Sequence, residues 1–336
     1  MIFLLAMISS CSSNEKIEKF EFKSPNFELL ELAEGVYACI HKFGGKAICN
    51  VGIIDNGKET IIFDTFLDPK VTEELIELVE KLGLSPIKFV INSHYHNDHI
   101  RGNQSFPSDI DIISTAKTTE LIEHWEPLDI EEEKKYAPAR FAYYDSLLTA
   151  YEGDSTDREY MQIQMWRPYY EILSESYKVI QTRLPNIFIE NEKSLDGPKR
   201  KVQLVTKGSG HTESDLILYL PDEKILFTGD LVFNECHPYL GHGNFEKLKT
   251  WLDYLNELEV NTIIPGHGQK GDKALISSMK NYVLKVEEVA ENLIAANKTL
   301  EDVQEVEIPD LYKDWWFERF FNYNLNFIFK EKQEAE

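Results

Sequence analysis

Asn92-Ser93-His94-Tyr95-His96-Asn97-Asp98-His99 packs three of the chain's nine histidines and a carboxylate into six consecutive positions. The largely apolar run Lys88–Ile91 just before it reads as a buried strand, so the cluster begins where a strand ends. A loop at that place can aim several side chains at one point. Alternate residues of an extended segment share a face, which sends His94 and His96 the same way. Asp98 and His99 project differently as the chain turns, so one loop can serve two neighbouring metal ions. Histidines with a carboxylate suit borderline and hard cations such as Zn²⁺, Mn²⁺ and Fe²⁺. Three later segments repeat the arrangement of a strand followed by a group with ligand chemistry: Thr206-Lys-Gly-Ser-Gly-His211, Phe227-Thr-Gly-Asp230 and Ile264-Pro-Gly-His267. Taken singly, His211 or His267 reads as an ordinary loop or core histidine and Asp230 as a turn residue. The joint pattern makes the seven a candidate metal set.

Upstream of the cluster, strands are expected at Val36–Ile40, Ala47–Ile54 and Thr60–Phe63, separated by Gly44-Gly45 and by an Asp55-Asn-Gly turn signal. Val71–Leu82 carries apolar residues at helical spacing and stops at Gly83. Downstream, residues 115–183 turn helical, acidic and aromatic, with Pro127 and Pro138 expected as breaks. They read as an insert whose aromatic side chains either pack internally or form a lid. Strands resume at Val202–Thr206, Asp215–Leu220 and Ile225–Thr228, followed by helix Phe245–Leu258 and strand Thr262–Pro265, so the order of the first half recurs. Two sheet-forming halves, each with helices on its outer side, predict an α/β fold of the αββα sandwich type. The boundaries expected are 25–300 for this domain and 301–336 for a C-terminal helical extension.

The H-x-H-x-D-H loop, the later His211 and Asp230 and the final His267 match the metallo-β-lactamase superfamily in type and order, and the chain resembles that family over most of Val36–Gly268. The resemblance implies that one metal takes His94, His96 and His211, that a second takes Asp98, His99 and His267, and that Asp230 bridges them. Two zinc ions are implied, with iron or manganese as alternatives. Each ion would lower the pKa of a shared water so that hydroxide attacks an electrophilic carbon or phosphorus, with Asp98 orienting it. Asp64, after the strand Ile61-Ile-Phe63, matches a position that supports the ligands from behind. True β-lactamases of the superfamily carry Cys, or no ligand, at the position of Asp230. A bridging Asp resembles the thioesterases, lactonases and phosphodiesterases. The implied activity is hydrolysis of a small ester, thioester, lactone or lactam, with a one-iron dioxygenase, a β-lactamase proper or a relative that has lost catalysis as alternatives. His237 and His242, in the loop after Asp230, are candidate substrate contacts; His41 and His124 read as surface residues.

The chain of 336 residues, 43% hydrophobic and 28% charged, is composed like a globular protein. Its formal net charge of −23 disfavours nucleic acid as a partner, whereas bound cations would reverse the sign locally and admit an anionic small molecule. Met1–Ser10 is a short apolar run ending in small residues before Cys11, which resembles a bacterial lipoprotein signal. It implies an exported protein facing the periplasm, held to the membrane through a lipid on Cys11, with residues 12–24 as a tether; the alternative is a cytoplasmic protein. Cys39 and Cys49 flank Gly44 symmetrically, so a three-residue turn would set them opposite each other, either bridged or as two buried thiols.

Overall fold

In this computed structural model residues 22–335 are described; the signal-like segment 1–11, Cys11 and most of the 12–24 tether lie outside them. The meander upstream of the histidine loop runs β1 (Phe27–Ala33), β2 (Val36–His41), β3 (Val51–Asp55) and β4 (Thr60–Phe63), each antiparallel to the next. Helix α1 (Pro69–Lys81) starts on Asp68, whose carboxylate accepts from Lys70 N, with Pro69 in the first turn. It crosses to β5 (Ile87–Ile91), parallel to β4. The short α2 (Asn97–Ile100) follows, then β6 (Asp111–Ser114), the long helices α3 (Ala116–Ala150) and α4 (Arg158–Ser176), and β7 (Ile187–Phe188), which completes a seven-stranded sheet in sequential order. The second sheet contains β8 (Glu192–Ser194), β9 (Gln203–Gly208), β10 (Asp215–Leu220) and β11 (Ile225–Phe227). After α5 (Phe245–Glu257), β12 (Thr262–Ile264) joins it in parallel to β11. Helices α6 (Ala274–Ala295), α7 (Leu300–Gln304) and α8 (Arg319–Ala335) close the chain.

Alternation along the strands explains the layering. Ile61 and Phe63 of β4 face one way and pack with Leu204, Leu216, Leu218 and Phe227 of the second sheet. Their neighbour Ile62 faces the other way, onto Leu75 and Leu78 of α1. In β10, Leu216 and Leu218 point between the sheets while Ile217 and Tyr219 face α5 and α6. Each inner strand is therefore apolar on both faces, as a sheet covered on both sides demands. The result is the expected αββα sandwich. Among the described residues no helix is long and apolar enough to cross a membrane.

Three local expectations are corrected. Strand β1 was not foreseen, because Phe27-Glu-Leu-Leu-Glu-Leu-Ala lacks clean alternation and forms an edge. The three-residue turn at Gly44 does not form: β2 and β3 pair across a longer loop, Cys39 lies opposite Val51, not Cys49, and both cysteines are buried free thiols. The cause is tertiary. Asn50 N donates to Gly266 O, and its side-chain amide donates to Pro265 O and Gly268 O while accepting from His41 N, so this segment is tied to the distant loop carrying His267. Finally, Pro127 and Pro138 lie inside an unbroken α3. Each removes one backbone bond, but α3 packs along α4, and buried Arg101 holds Glu126 and Glu133 on either side of Pro127.

Candidate metal centre

The histidine loop leaves β5 at the end of the sandwich and is fixed from beneath by Asp64. This residue has a left-handed backbone (φ 65°), which Asp and Asn tolerate better than most side chains. Its carboxylate accepts from Ser93 N at 2.8 Å, Ser93 Oγ at 2.8 Å and His99 Nδ1 at 2.9 Å. Because Ser93 Oγ donates to Asp64, it accepts from His94 Nδ1 at 2.9 Å. One buried carboxylate thus sets two imidazoles, His99 directly and His94 through Ser93, with each Nε2 turned to the same interior point.

Asp230 enters from the turn after β11, and Gly266 makes room for it: a Cβ there would stand 2.0 Å from Asp230 Oδ1. Around Asp230 the donors fall into two groups. His94, His96, His211 and Asp230 offer ligand atoms all within 4.8 Å of one another, as do His99, Asp230 and His267. Asp230 belongs to both. His211 Nε2 is 3.3 Å from its Oδ2 and 3.2 Å from His96 Nδ1. On the other side His99 Nε2 lies 3.2 Å from Asp230 Oδ1 and 3.5 Å from Asp98 Oδ2, and His267 Nε2 lies 3.3 Å from Asp98 Oδ2 and 3.5 Å from Asp230 Oδ2.

These residues fit a metal. Tetrahedral N and O donors about 2.0–2.2 Å from a zinc stand roughly 3.3–3.5 Å apart, the spacing seen in the second group. His94 Nε2, His99 Nε2 and Asp230 Oδ1 are buried with no hydrogen-bond partner, an expensive arrangement unless a cation takes their lone pairs. The electrostatics agree in sign. Burial opposes charge on Asp230, but His267, His99 and His211 hold its carboxyl well below the usual range. Burial likewise opposes charge on His267, yet Asp230 and Asp98 raise it to about 9. Burial pushes His94 and His96 well down, leaving neutral imidazoles that can donate to a cation.

All seven expected ligands meet here. Cys49, expected only as a bridged or buried thiol, donates from Sγ to Asp98 O at 2.9 Å, and its sulfur lies within 4.8 Å of ligand atoms of both Asp98 and His99. The group opens onto a cleft of about 400 Å³. His242 lines this cleft, but His237 does not: it is buried away from it between Tyr282 Oη and Tyr312 O. His41, expected at the surface, lines the cleft and accepts from Gly268 N at 3.2 Å. Nothing in its own neighbourhood announces this, since the contact is made to the far end of the chain. Trp166 and Tyr169 of α4 and Phe317, Arg319 and Phe320 at the C-terminus complete the wall. Arg319 stacks over the Trp166 ring at 3.6 Å and donates to Tyr170 Oη.

A family model described as the metallo-beta-lactamase superfamily matches residues 44–267, about two-thirds of the chain and all the candidate ligands. The chain belongs to the metallo-β-lactamase superfamily. Among curated relatives of this superfamily, the type 2 metallo-β-lactamase of Bacillus sp. (strain 170) is 25% identical over 284 residues, covering 81% of this chain and 89% of that protein. That of Bacillus cereus is 25% identical over 283 residues with the same coverage. Among solved structures, the metallo-β-lactamase from Pontibacter korlensis is 16% identical with a TM-score of 0.53, over 77% of this chain and 99% of that one. FIM-1 of Pseudomonas aeruginosa, in a mono-zinc form, is 16% identical with a TM-score of 0.54, over 77% and 96%. At such identities the structures speak for the shared fold alone.

Proposed function

We propose that this superfamily member is a two-zinc hydrolase of a small ester, thioester, lactone or lactam. The observation that carries the reading is Asp230, a buried carboxylate shared by two groups of inward-facing donors. His94, His96 and His211 would hold one ion, Asp98, His99 and His267 the other. A bound pair supplies Lewis acidity toward a carbonyl oxygen and brings the pKa of a water toward neutrality. The chain's own residues do the rest. Asp98 borders the cleft and is the carboxylate placed to orient that water, while Trp166, Tyr169 and Phe317 exclude bulk solvent and select the acyl portion. The insert is thus the substrate-selecting wall.

Metal analysis of protein purified without added metal, paired with a hydrolysis panel of esters, thioesters, lactones, β-lactams and phosphodiesters, tests the reading. About two zinc per chain with turnover of one ester-like class is expected; one iron with oxygen uptake would overturn it. β-Lactams belong in the panel because the curated relatives that cover most of the chain are themselves metallo-β-lactamases.

A further inference from the structure

Asp64 accounts for the outer nitrogens of His94 and His99, whereas His96 finds a different partner. Its Nδ1 faces His211 Nε2 at 3.2 Å, and its Nε2 faces His242 Nδ1 at 3.0 Å. A histidine that gives Nδ1 to a cation must carry its proton on Nε2, so the group opposite has to accept. Among the described residues, His242 stands there. The Tyr95 hydroxyl lies 2.7 Å from the same His242 Nδ1. Nδ1 has a single lone pair, so the hydroxyl shares it with His96 Nε2–H as the second arm of a three-centre bond, and the His242 proton sits on Nε2.

His242 is held in this orientation from three sides. Tyr95 comes from the histidine loop itself, the Trp125 ring of α3 stacks on it at 6.3 Å and 14°, and Tyr239 meets it edge-on at 4.9 Å. The flanking Gly243 lets this turn lie directly on the backbone of a ligand: a Cβ there would stand 2.1 Å from Gly210 O and 2.5 Å from His211 O. Gly241-His242-Gly243 therefore docks against the His211 loop and presents one imidazole to the back of His96.

Building on the two-metal reading, we infer that His242 is a positioning residue which fixes the tautomer and ring angle of His96, and through it the affinity of the His94, His96, His211 ion site. It acts on the site without binding the ion. An aromatic replacement that keeps the stacking but cannot accept should weaken that one site; an acceptor placed like Nδ1 should restore it.

The test uses the full chain stripped of metal and titrated with Co²⁺ or Zn²⁺ against a chromophoric chelator. Wild type, His96→Ala, His242→Phe and His242→Asn are compared, with thermal melting of each apo-protein as the fold control. Expected are two ions in wild type, a roughly 10–100-fold weaker affinity at one of them in His242→Phe, an altered visible spectrum of the cobalt form, and recovery of both in His242→Asn. A His242→Phe protein with wild-type affinities and spectrum, while His96→Ala loses an ion, would overturn this inference alone. An indifferent His96→Ala would overturn it together with the two-metal reading. A His242→Asn variant as weak as His242→Phe would assign the loss to packing and also sink the positioning role.

Discussion

Asp64 illustrates how one side chain governs a site it does not join. Replacing it with Asn keeps the shape but swaps an acceptor for an NH₂ opposite His99 Nδ1, which forces the imidazole proton onto the nitrogen that faces the interior. Asp64→Asn should therefore fold yet lose metal affinity by about 10–100-fold, read by equilibrium dialysis against zinc; unchanged affinity would refute the orienting role. His237 supports a prediction of another kind. Burial lowers its pKa to about 4, against about 6.5 in an unfolded chain. Between those values the unfolded state binds a proton that the folded state refuses, so the stabilisation present above pH 6.5 is lost as pH falls through 4, by at most about 3 kcal/mol. His237→Gln, which can still donate to Tyr312 O and accept from Tyr282, should flatten that slope in urea denaturation measured between pH 7 and 4.5. The two residues also differ in legibility. Asp64 could be placed by the family resemblance at the end of its strand, whereas His237 and His242 looked alike in sequence and were separated only by contacts with α6 and with Tyr95.

Elements were legible where periodicity and burial agree. Helix α1, expected over Val71–Leu82 from its apolar spacing and the Gly83 stop and found at Pro69–Lys81, and the doubly apolar strands β4 and β10 followed from local pattern. The segment from Lys42 to Asn50 did not, because Asn50 serves the loop of His267 more than its own hairpin. Nor did α3, whose continuity through Pro127 rests on Arg101, a residue that immediately follows α2. Arg101 donates from Nε to Glu126 at 2.7 Å and from Nη2 to Glu133 at 2.9 Å, and Asn97 donates to Glu133 at 2.9 Å. The first helix of the insert is thereby pinned to the turn that carries Asp98 and His99. Arg101→Met would leave two buried carboxylates unpaired, a loss of about 3–5 kcal/mol. Denaturant midpoints should register that loss, together with weaker zinc binding. Normal stability would show that water can replace the guanidinium.

For the molecule as a whole, the cluster of inward-facing donors makes stability conditional on metal. An ion that binds only the folded state at one hundred times its dissociation constant adds about 2.7 kcal/mol. Chelation should therefore lower the melting temperature by several degrees and zinc should restore it; a melting curve indifferent to chelator would contradict the metal centre. The αββα layering was readable because two halves repeat one order of strands and helices. The cleft was not, because its wall joins α4 to the far C-terminus: Arg319 against Trp166, and Arg158 against Glu318. Replacing α3 and α4 with a short loop, with Arg101 made Ser to suit its new exposure, should change which substrates are hydrolysed. Zinc should still bind, since none of the seven ligands lies in the insert, but at the lower affinity expected once Glu126, Glu133 and Trp125 no longer brace the site. An unchanged substrate ranking would reduce the insert to packing.

That replacement is feasible because of where the chain departs and returns. Ser114 pairs with Phe188 and Ile113 with Ile187, on neighbouring parallel strands about 4.8 Å apart, and Ile189 N donates back to Ser114 O. The seam lies in the outermost pairing of the seven-stranded sheet, so material can be spliced in or out there without shifting β4 or β5, whose ends carry Asp64 and the histidine loop. If the insert selects the substrate as proposed, gene rearrangement at such a point would exchange recognition as a cassette, and the metal chemistry and the choice of substrate would diverge on separate evolutionary clocks.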